Sequence, residues 1–230
     1  MEKNQPTDRR KFLGTITAGA ATLGLATIIT PLQELNAAPA ETINDGDPEE
    51  WFKKIKGKHK IVFDATKPHA VFPFAWPRVF LLTNAATGTP EKDNSVVVVL
   101  RHDAIPYAME NKLWTKYNFG EMFKADDPAT SKPAASNPFW KPAKGAFSFP
   151  GIGEVQIGIN ELQESGVMFC VCGAAMTVYS AAAAAKMNMK AEDVFTEWKA
   201  GVLPGIEIVP SGVWALGRAQ ERGCGYIFAG

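Results

Sequence analysis

The chain has 230 residues, enough for one domain with an export segment or a domain carrying a large insertion. Its 24 basic and 24 acidic side chains cancel, which argues against nucleic acid or an anionic membrane surface as the partner. Apolar residues make up 46% of the chain, ordinary for a globular protein, with no repeat, heptad array or single-sign charge run.

Near the N-terminus, Arg9-Arg10 precede an apolar stretch from residue 12 to about residue 30, rich in Gly, Ala and Thr. Ala38-Pro39-Ala40 supplies small residues at the spacing a signal peptidase reads. Paired arginines before a mildly hydrophobic segment mark twin-arginine export, so residues 1–40 are predicted to be a signal peptide that sends a folded protein to the periplasm. The alternative is an uncleaved anchor, because the stretch is just long enough to span a bilayer, and membrane contact is expected only then. Residues 41–57 are polar and read as a linker, with an amphipathic stretch at 49–55 that suits a short surface helix.

The folded domain is predicted over residues 58–230. Its first strand, residues 59–64, ends in Asp64, and Pro68, Pro73 and Pro77 then interrupt regular structure. A helix is expected from about residue 76 to 86, with Val79, Phe80 and Thr83 on its buried side. Ser95-Val96-Val97-Val98-Val99-Leu100 is a run of β-formers without alternation, which implies a central parallel strand buried on both faces. It runs into Arg101-His102-Asp103. Residues 104–123 read as helical. An insertion at about 124–150 carries too many prolines for a helix or central strand and presents Phe139 and Trp140 as exposed aromatics.

Residues 152–164 return to helical spacing through Val155, Ile159 and Leu162. The stretch Gly166-Val167-Met168-Phe169-Cys170-Val171-Cys172-Gly173 then reads as a buried strand that turns directly into an alanine-rich helix reaching about residue 187. Period-2 alternation puts Met168, Cys170 and Cys172 on one face. Cys172 falls just before the helix, where backbone N–H groups and the helix dipole favour a thiolate; the competing reading is that it simply packs. A short helix at about 191, a strand through Ile206-Glu207-Ile208-Val209, a helix at 213–222 and a last strand at 225–228 complete the chain.

The alternation of strands and helices predicts an α/β fold with a mostly parallel five-stranded sheet in three α/β/α layers. Asp64, His102, Cys172 and Ser211 then lie along its carboxyl edge, where open α/β sheets keep their ligand sites. The three cysteines are an odd number, so at least one is unpaired.

The strands at 59–64 and 95–102, the Gly166 to Gly173 stretch with its terminal Cys172, Val209-Pro210-Ser211-Gly212-Val213, Ala219-Gln220-Glu221-Arg222-Gly223 and the final Tyr-Ile strand together resemble the DsrE/DsrF-like family, in its exported branch. The resemblance covers about residues 58–229. It implies assembly into homo-trimers or hexamers and a role in sulfur handling, with a persulfide-carrying cysteine after the third strand at the position of Cys172. The cytoplasmic location of the sulfur-relay members and their lack of the proline-rich insertion are departures from this chain.

Two functions compete. The first is a non-catalytic module that binds a small ligand at the carboxyl edge, through Asp64, Cys170 and Ser211, or that assembles with its own copies. The second is a thiol-dependent sulfur carrier or redox protein with Cys172 as nucleophile, His102 as its proton partner and a sulfur donor as its partner. Cys170, Cys172 and Met168 on one face also suggest a soft-metal site for Cu(I), although zinc and haem spacings are missing. Gly151-Ile152-Gly153 falls short of a nucleotide fingerprint, and no cofactor is expected.

Overall fold

A computed structural model describes residues 47–230; the predicted export segment, its cleavage site and the first part of the predicted linker lie outside the described residues. The chain enters through helix α1, Pro48–Phe52, capped by the Asp47 carboxylate, which accepts from the Glu49 amide. Trp51 and Phe52 are buried, so this stretch is not a linker or surface helix. It is the first piece of the core, because two adjacent large aromatics are far more stable packed than left in water.

Strand β1, His59–Ala65, is followed by helix α2, Phe72–Ala86, and strand β2, Asn94–Leu100. A 3-10 segment at His102–Ala108 leads to helices α3, Asn111–Tyr117, and α4, Phe119–Met122. The insertion holds two small antiparallel ladders, β3 (Asp126–Asp127) with β4 (Lys132–Pro133) and β5 (Ser148–Phe149) with β6 (Gly153–Glu154). Then come helix α5, Ile159–Glu164, strand β7, Met168–Cys172, helix α6, Gly173–Met187, and helix α7, Ala191–Ala200. Strand β8, Ile206–Val209, helix α8, Gly212–Glu221, and strand β9, Gly225–Phe228, end the chain.

The main sheet has the order β8-β7-β2-β1-β9 and every pairing in it is parallel. All seven residues of β2 are buried, as its unbroken run of β-branched side chains required. The connections from β1 to β8 step one way across the sheet, and α8 carries the chain back to the opposite edge. The fixed hand of parallel crossovers therefore sends α8 to the other face. On that face, Val62, Val97, Val99 and Cys170 pack against Ala215, Leu216 and Ala219 of α8 and against Trp51 and Phe52 of α1. The first face is aromatic: Phe74 stacks on Phe139 at 4.1 Å and meets Tyr107 edge-on, while Phe63 meets Phe80. The result is the expected three-layer α/β fold.

Several local expectations are corrected. Helix α2 starts at Phe72, four residues early, because Pro73 sits in its first turn, where the missing N–H has no helical partner to lose. Its buried side is Phe74, Pro77, Arg78 and Leu81, while Val79 and Thr83 face solvent. No continuous helix covers 104–123: Pro106 lies inside the 3-10 segment, and Asn118, at φ 52°, breaks α3 from α4. Residues 153–154 are strand, and helix starts only at Ile159.

The largest correction concerns Phe139. It is fully buried, stacked between Phe74 and Phe147, and its neighbour Trp140 is half-buried. The insertion is fastened at its base as well, where the buried Arg78 guanidinium donates to the carbonyls of Gln156 and Glu161 and to the Ser165 hydroxyl. A long proline-rich segment that brings its own aromatic anchor packs as a wall of the domain.

Candidate functional site at the carboxyl edge

Asp64, the penultimate residue of β1, shares the parity of Val62 and so faces α8. Arg101, just past β2, shares the parity of Val97 and Val99 and faces the same side. Because β1 pairs with β2 in register Asp64 with Val99, the two side chains meet diagonally. Arg101 Nε donates to Asp64 Oδ1 at 2.6 Å and Nη2 donates to Oδ2 at 2.9 Å, the two-pronged geometry natural to a guanidinium. Tyr226 of β9 donates its hydroxyl to Oδ2 at 2.8 Å. The carboxylate is 1% exposed, whereas the Arg101 side chain keeps 27% exposure. Hydrogen bonding to Asp64 raises the Arg101 pKa against the opposing effect of burial, and burial followed by the bond to Asp64 raises that of Tyr226.

The aliphatic stem of Arg101 rests on Gly212, the first residue of α8. A Cβ on Gly212 would meet Arg101 Cβ at 2.6 Å. Only glycine leaves this gap, so the helix start and the arginine are fitted to each other. Ser211 caps α8 by accepting from the Trp214 amide at 3.2 Å.

Cys172 closes β7 and is itself the N-cap of the 15-residue α6, its sulfur accepting from the Ala175 amide at 3.3 Å. It is 6% exposed and within electrostatic reach of the Arg101 guanidinium. The Ala174 amide donates to the Pro210 carbonyl at 3.1 Å, tying the ends of β7 and β8 together. The chain leaves β7 towards one face and β8 towards the other, so Cys172 and Ser211 flank the reversal point where open α/β sheets receive ligands.

The remaining predicted residues fall elsewhere. His102 begins the 3-10 segment at φ 50°, a left-handed conformation uncommon outside glycine. Its ring lies against Asp103 (Nδ1 to Oδ1, 3.2 Å) and the Tyr179 hydroxyl (3.5 Å from Nε2), and it is exposed to solvent. Tyr179 in turn donates to Asp103, and its pKa is driven up by burial and by that bond. His102 is therefore committed to a cluster with α6 and is not the hydrogen-bond partner of Cys172. One residue past Arg101, it has the opposite parity.

Cys170 is fully buried in the α8-side core, and burial pushes its thiol well above the ordinary range, with Cys172 and Glu207 adding to the rise. It packs there with Val62, Val97 and Val99. Cys224 is also buried, its thiol raised by desolvation that Lys60 partly offsets. All three thiols are free. Among the described residues, no group of three or more His, Cys, Asp or Glu side chains comes together to hold a metal.

Arg101 is the residue that sequence reasoning passed over. The signal was available: an arginine two places beyond Val99 must share its face, and the neighbouring strand ends in an aspartate of matching parity. The fold and this edge define an α/β protein with a five-stranded parallel sheet and a polar cluster at its carboxyl end. No family model matches the chain, and no curated protein matches it. Among solved structures it is similar to a protein of unknown function, MTH1491 from Methanobacterium thermoautotrophicum, at 15% identity and a TM-score of 0.38, covering 74% of this chain and 99% of that one.

Proposed function

We propose that this chain is a periplasmic, DsrE-like module that assembles with copies of itself and holds a small ligand at the carboxyl edge of its sheet without catalysing a reaction. The observation that carries this reading is that the polar groups of the edge are already partnered. Asp64 is held by Arg101 and Tyr226, His102 by Asp103 and Tyr179, and Ser211 by the Trp214 amide. Nucleophilic catalysis asks for a nucleophile within hydrogen-bond reach of a base, and these pairings leave Cys172 at a helix end, within electrostatic reach of Arg101. Self-assembly is supported by β9, the outermost strand, which exposes Tyr226, Ile227 and Phe228 at 46%, 40% and 56%. Apolar side chains on an unpaired strand edge invite pairing with another chain.

A second reading has its own support. Cys172 stands at the head of a 15-residue helix, its sulfur accepting from the Ala175 amide and within electrostatic reach of the Arg101 guanidinium. One experiment separates the two. The exported protein is alkylated in its native state, its intact mass measured with and without reduction, and Cys172 mapped by peptide analysis; light scattering on the same sample gives its mass in solution. The module reading expects an oligomer whose Cys172 resists alkylation until unfolding. Fast native labelling of Cys172, or a reductant-labile added sulfur on it, replaces that reading with the carrier, and a monomer removes the assembly.

A further inference from the structure

At the opposite, amino-terminal end of the sheet lies an open cleft of about 690 Å³, lined in part by Lys54, Lys56, Lys58 and Lys92 with Asp93 and Ser95. From it we propose a second binding site, for a compact, multiply charged phosphate-type anion.

Four lysines and one aspartate line it, in a chain whose 24 basic and 24 acidic side chains cancel overall, so the positive excess is local to the cleft. Three acidic residues near these lysines in the sequence are engaged elsewhere. Glu49 pairs with Arg218 and Arg222, Glu50 with Lys53, and Glu91 with the buried Arg78. Like charges gathered in a concave surface focus potential on whatever enters it. The excess is also held in place. The amides of Lys56 and Gly57 both donate to Ser95 Oγ, at 3.1 and 2.7 Å, and the Lys58 amide donates to the Asp93 carbonyl at 2.6 Å. Gly57 lies so close to β2 that a Cβ would meet the Asn94 carbonyl carbon at 2.4 Å. The backbone bearing Lys56 and Lys58 is thus bolted to the first residues of β2, and only the lysine side chains remain to adapt.

The lining also tells what kind of anion fits. Among the described residues it contains no arginine fork to grip a planar carboxylate in two-pronged fashion and no aromatic ring on which a base would stack. Lysine ammonium groups are point charges, suited to several phosphoryl oxygens spread in space. A concave cleft selects a free anion over the flat surface of a bilayer.

The test is calorimetric titration of pyrophosphate into the exported chain at low salt. Binding is expected, weakened about tenfold or more by Lys54→Glu with Lys92→Glu, and weakened in the same direction by the milder Lys54→Gln with Lys92→Gln. It is expected to survive Lys141→Glu with Lys144→Glu, which changes the net charge equally on a distant, exposed part of the insertion, and to fade as salt rises. No binding of pyrophosphate, equal losses in the cleft and control pairs, or attachment to phosphatidylglycerol vesicles without pyrophosphate binding would each overturn the proposal.

Discussion

Replacing Arg101 by methionine tests the electrostatics of the carboxyl edge most directly. The variant keeps a stem that can lie on Gly212 but removes both donors from Asp64, whose carboxylate is 1% exposed and retains only the Tyr226 hydroxyl. Two hydrogen bonds to a charged group contribute roughly 1.5–3 kcal/mol each. Breaking a buried pair from one side costs about 3–5 kcal/mol, and the partial exposure of Arg101 points to the lower end, about 3 kcal/mol. The reverse change, Asp64→Leu, leaves a guanidinium that is 27% exposed and can turn to water, so about 1–2 kcal/mol is expected. The double variant, an apolar pair, should be more stable than Arg101→Met alone. Urea unfolding followed by circular dichroism measures all four proteins. Because hydrogen bonding to Asp64 raises the Arg101 pKa, the guanidinium's contribution is in full force below its ordinary pKa and fades only as pH rises through the higher folded value. The wild-type advantage should therefore persist throughout neutral pH. If Arg101→Met and Asp64→Leu cost the same, or if the double variant is less stable than either, the burial argument is wrong.

Phe139→Ala should cost about 3–5 kcal/mol, since it empties a fully buried site between Phe74 and Phe147; a loss under about 1 kcal/mol in the same unfolding assay would mean that the insertion is not anchored there. Glu197 is pushed up by burial, but hydrogen bonds from Lys116 and Tyr117 outweigh that and hold it below the ordinary carboxylate range. Its contribution is present above the unfolded pKa and lost as pH falls through the lower folded one. Glu197→Gln should therefore flatten the decline in stability below about pH 4.3, and an unchanged acid limb would refute the assignment.

Where backbone geometry governs the side-chain pattern, the amino-acid order carries it openly. The valine run of β2 could be nothing but a central strand, and alternation put Cys170 and Cys172 on the same face of β7. The position of Cys172 at the end of a strand and the head of a helix followed from the same pattern. Long-range pairing was harder. Parity along β2 separates Arg101 from His102, but that Arg101 meets Asp64 follows only once the register between β1 and β2 is known. Proline counts misled in both directions, because a proline in the first turn is compatible with α2, while a proline-rich insertion can still bury Phe139. The commitment of His102 to Tyr179 and Asp103 depends on α6 passing over the 3-10 segment, a tertiary event with no trace in spacing.

Strand β9 lies against β1, and Tyr226 reaches Asp64 across 162 residues of chain. Thr66, just past β1, likewise receives its partner carbonyl from Gly230. In synthesis, then, β1 must wait for its outer neighbour until the 162 residues that separate Asp64 from Tyr226 have been translated. Such long loops slow the search for native pairing, and during the wait one flank of β1 and the charge of Asp64 lie without their outer cover. The interval is the period of greatest exposure to mispairing with other chains. It ends only when β9 clears the ribosome, so the β1 side of the sheet is completed after the β2, β7 and β8 side.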